Sequence, residues 1–267
     1  MKKLNYKIFV INMPRSVQRW KEISSQLDKL GLPYERVEGR NAADFSKETL
    51  SIYFSEKNNR RNFPRPLTLG EIGCYVSHIK CWQKIAQEGL DFAVVLEDDV
   101  VLSNKLPAAL QFLEEKIFKW NFIRLQIEEK TRILYKKRDY RDFSLHEYIR
   151  TSGCMWGYAL NLKTAKILLK NLIPFGMPVD TNTHLYYKLG IDVLTLFPPV
   201  VFCRNENDSE IDVLKNRLKL YNFYPFARQV FQLKSYLGKL NYLRKRDGIH
   251  RFLKRMLELK ATKPPVS

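Results

Sequence analysis

Apolar positions along the chain follow two rhythms that alternate. Ile8-Phe9-Val10-Ile11 is a continuous apolar run; Val17, Trp20, Ile23, Leu27 and Leu30 then recur at helical spacing, and past Gly31 a short run covers residues 34–37. This change of period predicts a strand, a helix and a second strand. Residues 55–66 turn polar and basic, with Asn58-Asn59-Arg60-Arg61 and two prolines, and predict a mobile loop. Thr68 and Glu71 have capping-box spacing and open a helix to about Gln87, with Ile72, Tyr75, Val76, Ile79, Trp82 and Ile85 on one face and Gly89 as its stop. Phe92-Ala93-Val94-Val95-Leu96 has no polar position, the pattern of a strand buried on both faces, and it ends abruptly in Glu97-Asp98-Asp99.

The alternation continues. Helices are expected around residues 107–118, 164–172 and after Asp180, strands around 122–127, 155–160, 193–197 and 200–202, and a charged hairpin over 128–142. Strand and helix in turn predict an α/β fold with a mostly parallel central sheet.

The chain's 267 residues suffice for one large domain, and 45% hydrophobic against 28% charged residues excludes disordered and collagen-like classes. The formal net charge is +18, and residues 211–267 carry fourteen Lys or Arg against three Asp or Glu, so +11 of it lies there. We therefore divide the chain into a main folded region, 1–210, and a basic tail, 211–267. In the tail Val230, Leu233, Leu237 and Leu240 share one helical face, and Ile249, Phe252, Leu253, Met256 and Leu257 another, interleaved with Arg244-Lys245-Arg246, Arg251, Lys254 and Arg255. These are basic amphipathic helices, suited to an anionic membrane surface or to capping the main region. Cys74, Cys81, Cys154 and Cys203 lack paired metal-site spacing, which disfavours structural zinc and fits reduced thiols. The apolar run after Met1-Lys2-Lys3 is too short for a signal sequence, and no stretch is long enough to span a membrane, so a cytoplasmic protein with only peripheral membrane contact is expected.

Three adjoining carboxylates resist joint ionisation unless positive charge compensates them. On extended backbone Glu97 and Asp99 would face one side and Asp98 the other, so the pair could share a hard ion, Mn²⁺ or Mg²⁺, leaving Asp98 for backbone or sugar hydroxyls. Strand carboxyl ends are where open α/β sheets place ligands, which suits a nucleotide diphosphate. The structural alternative is a solvated acidic turn.

The chain resembles glycosyltransferase family 25, the lipooligosaccharide and lipopolysaccharide biosynthesis enzymes. The resemblance rests on Ile11-Asn12-Met13-Pro14-Arg15-Ser16 with Arg19, on Leu69-Gly70-Glu71-Ile72-Gly73-Cys74 with Ser77-His78 and Trp82, and on Val95-Leu96-Glu97-Asp98-Asp99, in the family's order. It continues through Gly157-Tyr158-Ala159-Leu160, Pro178-Val179-Asp180 and Pro198-Pro199-Val200, over roughly the first 210 residues. It implies a GT-A-like nucleotide-sugar-binding fold, a UDP-sugar donor, a metal at Glu97 and Asp99, and inverting β-transfer of a hexose, galactose before glucose, to a lipid-linked oligosaccharide core. An acceptor of that kind would give the basic tail its reason, attachment at the inner face of the cytoplasmic membrane.

Inverting displacement needs a base for the acceptor proton. Asp180 is the first candidate, with a plain helix N-cap as its structural alternative, and Glu128 is the reserve. Asn12, Arg15 and Arg19 are expected near the donor phosphates or uridine, Arg being suited to bidentate phosphate contact. Glu71 is assigned to site support through its cap. His78 is either a donor-site hydrogen-bonding group or a structural histidine, and Trp156 either a sugar platform or core. The competing class, a basic nucleic-acid-binding protein, is disfavoured because the positive residues gather beyond the acidic strand end instead of forming a groove with aromatic platforms.

Overall fold

The computed structural model describes residues 4–117, 120–127, 132–151, 153–204 and 225–262. The apolar runs form the strands expected of them: β1 (Tyr6–Asn12), β2 (Glu35–Glu38) and β3 (Phe92–Glu97) pair in parallel, with Ile11 opposite both Val37 and Glu97. The motif-bearing ends of β1 and β3 therefore come out side by side.

With β5 (Phe122–Arg124), β6 (Arg132–Asp139), β7 (Ser144–Tyr148), β8 (Gly157–Asn161), β9 (Val193–Phe197) and β11 (Lys260–Thr262) they build a nine-stranded sheet of order β11-β6-β7-β9-β5-β8-β3-β1-β2. The pairings β1–β2, β1–β3 and β5–β9 are parallel and the rest antiparallel, so β8, β7 and β11 run against the other six strands. β4 (Val100–Leu102) and β10 (Val201–Cys203) form a separate antiparallel pair. The charged hairpin is β6–β7, and the alternating exposure of β6 fits an edge region with one wet face.

Helices cover both faces of the sheet. On one lie α4 (Leu69–Glu88) and α6 (Leu162–Leu172), with Tyr75, Ile79, Trp82 and Leu168 packed on Phe9, Val95 and Tyr158; on the other, α1 (Val17–Lys29) and α5 (Leu106–Glu115) set Ile23, Leu27, Leu110 and Leu113 against Ile8, Val94 and Ile123. α4 starts and ends as its sequence dictates. Thr68 Oγ1 accepts from Glu71 N, Glu71 Oε2 accepts from Thr68 N, and Gly89 closes the helix at φ +61°, a conformation costly for any residue with a Cβ. At Gly73 an added Cβ would lie 2.3 Å from the Arg40 carbonyl oxygen, so only glycine lets α4 approach the chain leaving β2.

Two expectations are corrected. The polar stretch 55–66 is not a loop throughout: after α2 (Lys47–Tyr53), residues Glu56–Asn62 form α3, capped by Ser55, and buried Asn59 ties its end down by donating to the carbonyls of Arg65 (3.0 Å) and Gly176 (2.9 Å). The extended-backbone alternation of Glu97, Asp98 and Asp99 also fails, because β3 stops at Glu97 and Asp98 and Asp99 turn into β4.

The boundary expected near residue 210 falls outside the described residues. Beyond it α8 (Pro225–Asp247), α9 (Ile249–Leu257) and β11 return to the main body. α8 docks by a polar and aromatic face. Lys239 and Arg246 reach buried Glu147 at 3.2 and 2.8 Å, Arg246 and Tyr242 reach Asp192 at 2.6 and 2.9 Å, and Leu243 is fully buried with Tyr135 and Ile149. This network holds the Glu147 carboxyl below its usual range against the opposing effect of burial. Of the apolar face anticipated on this helix, Leu233 and Leu237 stay exposed.

Candidate active site

The ends of β1 and β3, the turn after β3, the first turns of α1 and the middle of α4 converge. Buried Asn12 is the hinge of the arrangement. Its amide donates to Asp98 Oδ2 (2.5 Å) and to the Ser16 carbonyl (3.0 Å), while its oxygen accepts from the Arg36 guanidinium. Arg19, one turn into α1, stands 3.7 Å from Asp98 Oδ1 and 3.8 Å from Asp99 Oδ2. Arg15 lies exposed on the β1–α1 connection.

Glu97 turns the other way, toward α4. Its carboxylate is 3.3 Å from Nε2 of buried His78, whose Nδ1 lies 3.0 Å from the Tyr158 hydroxyl; that hydroxyl accepts from Trp82 Nε1–H at 3.0 Å. His78 is thus oriented from behind by two aromatic residues of the core and meets the acidic segment in front. Trp156, just before β8, is half-buried; its carbonyl accepts from Glu97 N at 2.9 Å, so its backbone joins the site, while its side chain packs against the core beneath α1 and α5.

The electrostatics are unequal across the triplet. Burial raises the Asp98 carboxyl above its usual value, against the pull of Asn12 and Arg19. Burial, then the charges of Glu97 and Asp98, push Asp99 up to about 7, with Arg19 opposing. Arg19, at 3.8 Å, therefore opposes the rise of Asp99 without cancelling it. Asp99 Oδ1 is buried and, among the described residues, has no hydrogen-bond partner. Buried carboxylate oxygens in that state are costly and call for a cation or a donor. The residues present fit a hard divalent ion, which takes oxygen ligands.

A second donor set shares Glu97: Cys74, His78 and Glu97 offer ligand atoms within 4.8 Å of one another. Sulfur and imidazole suit zinc more than manganese or magnesium. His78 already has both ring nitrogens engaged, by Glu97 and the Tyr158 hydroxyl, whereas buried Asp99 Oδ1 has no hydrogen-bond partner among the described residues, so the acidic turn makes the stronger demand for an ion.

Asp180 lies in the first turn of α7 (Val179–Asn182), with Pro178 at the N-cap position, so it is not the plain N-cap of its structural alternative. Its Oδ1 accepts from Thr181 N at 2.6 Å and its carbonyl accepts from Thr183 Oγ1 at 2.6 Å. Asn182 binds α7 to α4 by donating to the Tyr75 hydroxyl (2.8 Å). Glu128 lies outside the described residues.

Several residues of the region carried no functional expectation. Arg36, Tyr158 and Cys74 join it from a strand edge, the core and a helix face. Fully buried Arg124 and Gln126 extend from β5 and its end: both donate to the Cys154 carbonyl, Arg124 also to Thr183 Oγ1 (2.6 Å), and Gln126 Oε1 accepts from Gly157 N. Two polar residues at alternate positions of an otherwise apolar strand were the signal available for them. Glu71, expected in support, is held on both oxygens by buried Arg65, at 2.8 and 2.7 Å.

A family model described as glycosyltransferase family 25 (LPS biosynthesis protein) matches residues 5–183. A glycosyltransferase 25 family member from Aedes aegypti is 26% identical over 224 residues, 79% of this chain and 33% of that protein. Procollagen galactosyltransferase 1 of Danio rerio is 26% identical over 198 residues, 66% of this chain and 32% of that protein. Procollagen galactosyltransferase 2 of Mus musculus is 28% identical over 199 residues, covering 67% and 30%. The chain spans about a third of the length of these relatives. A solved glycosyltransferase involved in the glycosylation of the major capsid of PBCV-1 superposes with a TM-score of 0.42 at 10% identity, covering 80% of this chain and 99% of that one. The match over residues 5–183 takes in β1, α4, the acidic turn and Asp180 together, and the chain belongs to glycosyltransferase family 25.

Proposed function

We propose that this protein transfers a hexose, galactose first, from a UDP-sugar to a lipid-linked oligosaccharide core with inversion at the anomeric carbon. The observation that carries the reading is Asp99, a buried carboxylate with an unpartnered oxygen beside two further carboxylates at the end of a central strand. Asp99, with Glu97, would hold Mn²⁺ or Mg²⁺, which when bound supplies charge neutralisation for a departing diphosphate. Asn12 and Arg19 fix Asp98 beside it, and Arg19 and Arg15 offer guanidinium groups to phosphate. His78 keeps Glu97 aimed, and the Trp156 carbonyl holds the backbone of Glu97. Asp180, clamped by Thr181 and Thr183, takes the acceptor hydroxyl's proton as that oxygen attacks the anomeric carbon; the bond to UDP breaks on the opposite face and UDP leaves with the electron pair.

With Mn²⁺ the protein should release UDP from UDP-galactose faster than from UDP-glucose; release from no UDP-hexose would overturn the reading. Product linkage analysis with a truncated lipooligosaccharide, and with a procollagen peptide in view of the relatives' names, then decides the acceptor.

The membrane part of the proposal rests on α9. Ile249, Leu253 and Leu257 recur every four residues and are 47, 51 and 90% exposed, flanked by exposed Arg251 and Lys254. No helix among the described residues is long and apolar enough to cross a membrane, but such a stripe lies well in an anionic interface, each basic residue contributing about 1 kcal/mol. Because α8 and β11 are built into the body, deletion is the wrong test. Leu253→Glu with Leu257→Glu should lower partition onto phosphatidylglycerol vesicles by roughly tenfold or more while UDP release persists. Undiminished vesicle binding would defeat the attachment.

A further inference from the structure

Cys74 and His78 stand at positions i and i+4 of α4, which places their side chains on one face of the helix. Glu97 is the last residue of β3 and reaches that face from the sheet. The sulfur, an imidazole nitrogen and a carboxylate oxygen of these three residues lie within 4.8 Å of one another. Only the packing of α4 on β3 assembles the set, which is why the cysteine spacing in the sequence gives no sign of it.

The spacing has the dimensions of a zinc site. In a tetrahedron with bonds of about 2.0–2.2 Å to nitrogen and oxygen, those two ligand atoms stand about 3.3–3.5 Å apart, and a sulfur stands slightly farther from either. His78 Nε2 and Glu97 Oε1 are 3.3 Å apart. Hydrogen bonds to an ionised carboxylate are ordinarily shorter than this, whereas the edge of a metal tetrahedron has this length. The far side of the ring is held as metal-bound imidazoles are held. His78 Nδ1 lies 3.0 Å from the Tyr158 hydroxyl, and Trp82 Nε1–H fixes that hydroxyl at 3.0 Å. His78, Tyr158 and Trp82 are all buried, so the ring is pre-oriented, while Cys74 and Glu97 are partly exposed and give an ion a way in. Sulfur and imidazole select zinc, and the acidic turn next to them offers oxygen ligands, the choice of Mn²⁺ or Mg²⁺.

We propose that Cys74, His78 and Glu97 form a zinc site beside the acidic turn, with three protein ligands, a fourth position for water, and Glu97 shared with the turn. On binding, the Cys74 thiol gives its proton to solvent and ligates as thiolate. The imidazole carries its N–H on Nδ1, against the Tyr158 hydroxyl, and presents the Nε2 lone pair. The contact between His78 and Glu97 is replaced by a bond from each to the ion. Zinc here and Mn²⁺ at the turn then meet on one carboxylate and repel, so each weakens the other by the same factor. The zinc site stands apart from the transferase reading; its consequence, inhibition of Mn²⁺-dependent transfer by zinc, rests on that reading.

The test uses the full chain, stripped of metal and kept reduced, titrated with Zn²⁺ against a chromophoric indicator and with Co²⁺ as a spectroscopic stand-in. Co²⁺ should give a thiolate-to-metal charge-transfer band together with the intense visible bands of tetrahedral coordination. Cys74→Ser should lose the charge-transfer band and weaken zinc by about a hundredfold or more, beyond the loss typical of an outer-shell partner. Cys203→Ser, at the half-buried thiol of β10 beside the same turn, should keep both. Thermal melts verify that the variants are folded. If Cys74→Ser does not fold, alkylation of the parent decides: zinc should protect Cys74, located by peptide mapping, and undiminished alkylation overturns the site. Co²⁺ without a thiolate band, a band that survives Cys74→Ser, or one lost in Cys203→Ser overturns it equally. Saturating Mn²⁺ should weaken zinc by about fivefold or more, and zinc should weaken Mn²⁺, followed by its paramagnetic resonance, by the same factor. Zinc affinity unmoved by Mn²⁺ that supports UDP release overturns the antagonism. Zinc bound through Cys74 in a protein that releases no UDP keeps the site and removes the transferase reading, while UDP release without the thiolate band does the reverse.

Discussion

Asp99→Asn should lower transfer by roughly a thousandfold or more and at the same time stabilise the metal-free protein at neutral pH. Opposite signs on activity and stability follow from one cause. Asp99 is held near 7 by burial and by Glu97 and Asp98, so its ionised form is disfavoured in the fold and preferred in the unfolded chain. Between the unfolded value of 3.8 and about 7 the native state binds more protons than the unfolded one, and stability therefore falls as pH rises through that window. The accumulated cost is on the order of a few kcal/mol, at about 1.4 per pH unit of displacement. Asparagine removes the charge, keeps the shape and flattens this slope. Saturating Mn²⁺ should flatten it in the parent protein and leave the variant unmoved, because only the parent regains the ionised oxygen. Melts from about pH 5 to pH 7.5 with and without Mn²⁺, with UDP release on the same samples, give both readings. Undiminished turnover in the variant would take the metal out of the mechanism, and an unchanged pH slope would take away the electrostatic account of Asp99.

What could be seen in the sequence was what local pattern determines. The buried strand at 92–96, the capping box at Thr68 and Glu71, and the stop at Gly89 are each written in a few consecutive residues, and each stands in the fold where the pattern put it. The site was legible to the extent that motifs sit at strand ends: β1 and β3 being parallel neighbours brings Asn12, Arg19 and the triplet together. The direction of each carboxylate was not legible. The strand stops at Glu97 because Asn12, 86 residues distant, captures Asp98, and the alternation of extended backbone ends there. The same limit explains the C-terminal helices. Periodicity picks out Leu233 and Leu237 as an apolar face, for a membrane surface or for packing on the body, yet α8 docks through Lys239, Tyr242 and Arg246 onto Glu147 and Asp192, partners 50 to 99 residues distant. Charge complementarity at that range leaves no trace in a local window, and it leaves the apolar side of the helix for other uses.

Replacing Glu71 with glutamine should cost about 3–5 kcal/mol of stability. Arg65 and Glu71 are 1 and 3% exposed and face each other through two hydrogen bonds of 2.8 and 2.7 Å, while the same carboxylate accepts from Thr68 N at 3.0 Å. Glutamine retains the cap's oxygen but leaves a buried guanidinium without its counter-ion, and desolvated unpaired charge is more expensive than the attraction lost. The double variant Arg65→Met with Glu71→Met tests this directly: removing both charges should recover most of the loss, because apolar side chains of similar size replace buried ion pairs at little cost. A double-mutant cycle in urea gives the coupling. A loss below about 1 kcal/mol for Glu71→Gln would show that water already reaches the pair. Activity separates the structural role from the chemical one. Glu71 opens the helix that carries His78, and His78 aims Glu97, so melting of the first turn should lower the folded fraction without changing turnover per folded molecule. A drop in turnover measured well below the melting transition would instead place Glu71 in the chemistry.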